Sequence, residues 1–199
     1  MKKLVLIAAF ALFSFNSLSA QGVKVGVTGG LLNVNANVNL SALGLFNIAN
    51  LDAANGTGFY IGALVDIAAT SKLHIQPELT YGNAGDLSYI YLPVMAKYYV
   101  SDKFNIQAGP QLSFSSNLNE IKNVIRDIDG VLGTNTNLDD VLNSTGIDLG
   151  FGAGYDINDS MMVQARYAFA LTDRYSGPIG SALDVKEGTI QVGFTYFFN

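Results

Sequence analysis

The 199-residue chain has no cysteine, no tryptophan, a single histidine and only four prolines. Without cysteine there is no disulfide scaffold, no thiolate metal site, no cysteine nucleophile and no lipid-anchored thiol. Charge is scarce too: 14% of the residues are Asp, Glu, Lys or Arg, against about 25% in an ordinary soluble domain. The net charge of −5 leaves no basic field to neutralise phosphates, so nucleic acid drops out as a partner. Disorder requires low hydrophobicity and high charge, whereas 49% of this sequence is hydrophobic. The length suits one domain. What remains is a chain too apolar for a comfortable water-facing surface.

Long apolar runs are missing as well, except at the front. Lys2 and Lys3 open the chain, Leu4 to Phe15 form an apolar stretch, and Ser17, Ser19 and Ala20 supply small residues. That is the layout of a secretory signal peptide, expected to cover residues 1–20. The stretch is short of the roughly 20 apolar residues a spanning helix needs. Residues 21–199 are then a single secreted domain.

What the mature chain does contain is alternation. Apolar side chains occupy every second position in eight units: Val23 to Leu32, Thr57 to Ala68, Lys72 to Gly82, Ser88 to Val100, Phe104 to Phe114, Ile147 to Ile157, Met161 to Leu171 and Thr189 to Phe198. Period two is the strand signature. Prolines 77, 93 and 110 fall inside these units and each must occupy a slot where a missing N–H is tolerated. Tight polar turns at 70–71, 101–103 and 158–160 alternate with longer links at 33–56, 83–87, 115–146 and 172–188. An even number of strands with short turns at one end and long loops at the other predicts an all-β, up-and-down transmembrane barrel. Both termini then lie at the periplasmic end.

The apolar face could point outward to lipid or, as in a secreted lipocalin-type carrier, inward around a ligand. The other face decides. It carries glycines, amides, hydroxyls and few charges, whereas a water-facing surface would be rich in Lys and Glu. The polar face is therefore expected inside a narrow lumen. Lys24, Asp66, His74, Glu78, Lys97, Asp148, Asp156 and Arg166 would form an internal ion-pair network there, since buried charges must pair.

Several segments resemble a known family. Gly188 to Asn199 is similar to the terminal strand of outer-membrane barrels, with Phe194, Tyr196 and Phe198 as its alternating aromatics; the resemblance implies recognition by the barrel assembly machinery. Ile75 to Tyr81, Tyr91 to Tyr99 and Ile106 to Leu112 resemble the PorT-like "porin family" of small Gram-negative outer-membrane barrels. Membership implies an outer-membrane location amid lipid and lipopolysaccharide. It implies little about activity, although one branch of the family is linked to a protein secretion system.

Chemistry is thin. An eight-stranded barrel is just wide enough to be filled by its own side chains, which argues against an open pore despite the family's label. His74, with Glu78 four residues on, is expected low in the lumen, away from the outer leaflet where a lipid A-modifying enzyme would work, and no nucleophile is evident. Gly150, Gly152 and Gly154 lack the following helix of a phosphate loop. Asp127 and Asp129 lack the ligand spacing of a calcium loop. No cofactor, no metal site and no enzymatic activity are expected. In 115–146, Leu118, Ile121, Ile125, Ile128 and Leu132 recur at helical spacing; Leu40, Leu43 and Leu51 suggest a shorter helix in 33–56. These loops are read as helical caps or as faces for a protein partner. The expected role is that of a monomeric barrel doing structural or interaction work at the cell surface, or serving an envelope machine. A small-solute channel is the alternative.

Overall fold

Eight antiparallel strands close into a barrel in the computed structural model, which describes residues 22–42, 46–85, 87–115, 145–172 and 183–198. They are β1 (Val23–Ala42), β2 (Phe46–Ala68), β3 (Leu73–Ala84), β4 (Leu87–Tyr99), β5 (Phe104–Ser115), β6 (Thr145–Asn158), β7 (Met161–Ala170) and β8 (Leu183–Phe198). Each strand pairs with its neighbours in sequence, and β1 closes the ring against β8 from Val25↔Phe198 to Leu40↔Leu183. Closure leaves no edge in the zone where backbone groups have no water to bond.

The alternation fixes which way each strand faces. Val27, Leu31, Ile61, Leu79, Val94, Ile106, Phe151, Val163 and Val192 point outward and are exposed. Outward aromatics gather toward the two ends: Tyr98, Phe104, Tyr155, Tyr196 and Phe198 near the short turns, Phe59, Tyr81, Phe114, Tyr167 and Phe169 near the opposite mouth. Two aromatic girdles around an apolar band is the exterior of a membrane barrel. The inside-out alternative, with apolar residues lining a ligand cavity, does not fit this exterior.

The short turns are held by side chains bonding to nearby backbone. Thr70 Oγ1 accepts from the N–H of Leu73, Ser101 Oγ from that of Phe104, and Asn158 Oδ1 from that of Ser160. The prolines leave the pairing register intact. Leu64↔Glu78 and Ile67↔Ile75 flank Pro77, Thr80↔Tyr91 and Pro77↔Val94 flank Pro93, and Leu92↔Leu112 and Ala96↔Ala108 flank Pro110. Each removes a ladder donor without shifting the strands.

Segment 33–56 departs from the expectation of a loop carrying a short helix. β1 continues to Ala42 and β2 starts at Phe46, paired from Asn33↔Thr57 to Ala42↔Phe46 with bulges near Ala36 and Leu40. β8 accompanies β1 upward from Gly188 to Leu183. β2 meets β3 only from Gly58↔Ala84 downward, and β7 meets β8 only from Phe169↔Gly188 downward. The result is a three-stranded arm rising from one side of the barrel. The sequence reason is a second alternation, in which Asn33, Asn35, Asn37 and Asn39 interleave with Val34, Ala36, Val38 and Leu40. Period two outweighs the coincidental helical spacing of three leucines. The stripe at 118–132 lies outside the described residues, as does the expected signal segment.

Candidate functional site: a filled lumen

The even-numbered face of β1 and its counterparts on the other strands converge on the axis. Glycine makes the convergence possible. A Cβ on Gly193 would collide with the Tyr60 hydroxyl, and one on Gly154 would come within 2.9–3.0 Å of the Asn105 and Gln107 amides. Small residues on one strand thus make room for long side chains from the strand beside it or the next but one.

Near the short-turn end, Asp66 accepts from both Lys97 Nζ and His74 Nδ1, each at 2.5 Å. Lys97 is fully buried, and its ammonium lies 5.5 Å from the Tyr99 ring centroid and 5.6 Å from that of Phe197. Such cation–π contacts replace part of the lost hydration. Tyr99 donates its hydroxyl to Asp156 at 2.9 Å. One layer higher, Arg166 grips Glu78 with both terminal nitrogens, at 3.0 and 2.7 Å, and gives a further bond to Gln107 Oε1 at 3.1 Å. Gln76 Nε2 also donates to Glu78, at 2.6 Å. A two-pronged guanidinium–carboxylate contact is the strong form of a buried pair.

Higher again, Gln111 donates to Asp148 at 3.0 Å and Tyr89 to Glu187 at 2.9 Å. Around them the lumen turns apolar. Leu32, Val34, Ala84, Tyr89, Tyr91 and Ala168 are all buried, with the two tyrosine rings stacked at 5.3 Å. Leu64, Met162 and Phe197 form a second apolar plug lower down.

The structure therefore brings the sequence-named lumen residues into separate cells. Asp66, His74 and Lys97 share one, Glu78 and Arg166 another, while Asp148 and Asp156 each accept from an uncharged partner. Lys24 stands apart. It was expected inside, but it is exposed at the short-turn rim, donating to the Asp159 carbonyl at 2.9 Å, because the second residue of β1 lies low enough for its long stem to reach the mouth. His74 looks into that mouth, where it shares a polar cup of about 580 Å³ with Lys24, Lys72, Tyr99 and Asp156. Among the described residues no group of three or more His, Asp or Glu side chains could hold a metal ion. Sequence reasoning missed two members of the upper plug: Leu32 closes the first strand unit but was not assigned to the lumen, and Val34 falls in the segment read as a loop. Glu187 was missed because the last unit was started at Thr189, six residues after β8 begins at Leu183.

The model of the outer membrane protein beta-barrel domain family matches residues 5–198. The chain belongs to this family. Among solved structures, the barrel is similar to Neisserial surface protein A at 14% identity, covering 89% of this chain and 97% of that one, TM-score 0.47. It is also similar to Ail, the attachment invasion locus protein of Yersinia pestis, at 14% identity, covering 88% and 98%, TM-score 0.44. OprG of Pseudomonas aeruginosa matches at 14% identity over 89% and 96%, TM-score 0.42. No curated protein sequence matches the chain. Family and fold together make this an outer-membrane β-barrel.

Proposed function

We propose that this barrel is a closed membrane anchor that displays its extracellular arm and loops, acting structurally or through protein contacts at the cell surface. It carries out no chemistry of its own. One observation carries the reading: the lumen is crossed by fully buried side chains from end to end, among them Lys97, Met95, Gln76, Asn105, Leu32 and Val34, each 0% exposed. A channel needs a continuous wet path, and a barrel of eight strands has no width to spare for one. The arm of β8, β1 and β2 meanwhile rises above the level where β3 and β7 stop pairing, which is what a displayed surface requires. The finer placement proposed is the PorT-like branch, with export by the signal at residues 1–20, assembly through Phe194, Tyr196 and Phe198, and work as a monomer beside an envelope machine. Segments 33–56 and 115–146 are the faces offered to a partner.

The test replaces residues 36–54 with a two-residue Asn-Gly turn, leaving the membrane barrel intact. Cells carrying the shortened chain should share the phenotype of cells lacking the protein, while the purified variant still shifts its mobility in SDS between cold and boiled samples. Wild-type behaviour from the shortened chain would remove the arm from the function.

A further inference from the structure

The membrane-facing wall is not uniform. Across β5, β6, β7, β8 and β1 two adjacent outward rows run side by side. One is Phe104–Tyr155–Val163–Phe194–Gly29, the other Ile106–Ala153–Ala165–Val192–Leu31. In the second row Ala153 and Ala165 are paired neighbours, so the wall sinks there between Tyr155, Phe104 and Phe194 on one side and Leu31 and Val192 at the upper end. The depression is a groove of about 560 Å³ with an almost wholly apolar lining. Because strands tilt in a barrel, the groove starts low, at Phe104, the first residue of β5, and climbs across β6, β7 and β8 to Gly29 and Leu31 on β1.

Its lower end, Phe104, follows a cation in the chain. Lys103 precedes Phe104, is exposed, and spends one donor on the Ile157 carbonyl at 3.3 Å. An ammonium carries three donors, so two remain for an anion at the membrane surface. An apolar trough ending at a cation on the periplasmic interface has the layout of a single molecule type: a glycerophospholipid of the periplasmic leaflet, its acyl chain along Ala153 and Ala165 and its phosphate at Lys103. We infer that this groove is a phospholipid site, distinct from the general lipid contact of the belt. It is independent of the display reading and needs only the membrane placement.

The intact protein, extracted from outer membranes in mild detergent and supplied with palmitoyl-oleoyl-phosphatidylethanolamine, is examined by native mass spectrometry. One phospholipid should stay bound at collision energies that strip the detergent. Ala153→Phe with Ala165→Phe fills the groove and should lower retention at least tenfold, while cold SDS mobility shows the barrel still folded. Lys103→Glu, which leaves the groove open, should lower it several-fold. Ala96→Phe with Ala108→Phe, placed on the outward face of β4 and β5, should leave it unchanged. A wild-type barrel without retained lipid, equal retention after filling, or equal loss in the β4–β5 control would each overturn the inference. So would a dimer mass that disappears on filling, which would make the groove an interface between copies.

Discussion

The lower barrel and the arm are built from the same period-two pattern with opposite phase. Up to Leu31, β1 turns Val27 and Leu31 outward and keeps Gly26 and Thr28 inside; from Leu32 upward, Leu32 and Val34 are buried while Asn33 and Asn35 take the outward side. Asn33 Nδ2 bonds outward to Asn55, Gly56 and Thr57, contacts that suit water rather than hydrocarbon. Alternation alone specifies a strand. The residue type at each phase specifies the solvent, and the change of phase at 31–33 marks where the lipid ends. A strand running through both zones thus records the upper membrane boundary in its own sequence.

The comparison can be broken most severely from inside. Arg166→Met leaves Glu78 buried without its cation, and a broken buried pair costs about 3–5 kcal/mol; urea unfolding of the folded barrel in lipid should show it. Adding Glu78→Met to the same chain should return most of the loss, because the pair is then removed rather than broken. The phase rule itself is tested from outside. Val94→Arg places a charge on the lipid face of the membrane zone and should cost about 2–4 kcal/mol, whereas Asn35→Arg, above the switch, should cost about 0–1 kcal/mol. Equal costs at the two positions would mean that Asn35 sits in lipid. A smaller effect is expected from Val34→Asn, which buries an amide in the upper plug at a cost of about 1–3 kcal/mol; a neutral result there would mean that water reaches the plug.

Much of this was legible in advance because a membrane barrel writes its fold in residue parity. Tyr60, Glu78, Gln107 and Arg166 could be assigned to the lumen from their position between outward apolar neighbours, and the eight strands followed from the repeats. Pairing inside the lumen was not legible. Which carboxylate Arg166 would grip depends on shear around the ring, and nothing within β7 announces β3 as the strand that supplies Glu78. Lys24 was misplaced because parity says which side a residue faces and not how near the mouth its ammonium can reach. The arm was missed for another reason. Leu40, Leu43 and Leu51 read as a short helix within a loop, although Val34, Ala36, Val38 and Leu40, interleaved with Asn33, Asn35, Asn37 and Asn39, kept the strand period.

The central claim is a lumen closed by its own side chains, and single-molecule conductance addresses it most directly. The purified, heat-modifiable barrel is inserted into a planar bilayer of phosphatidylethanolamine and phosphatidylglycerol in 1 M KCl at 100 mV. The structure predicts a flat baseline without a steady open level, and Arg166→Met together with Glu78→Met should leave it flat. A stable, ohmic level from the wild-type chain would contradict a plugged lumen and make the protein a channel.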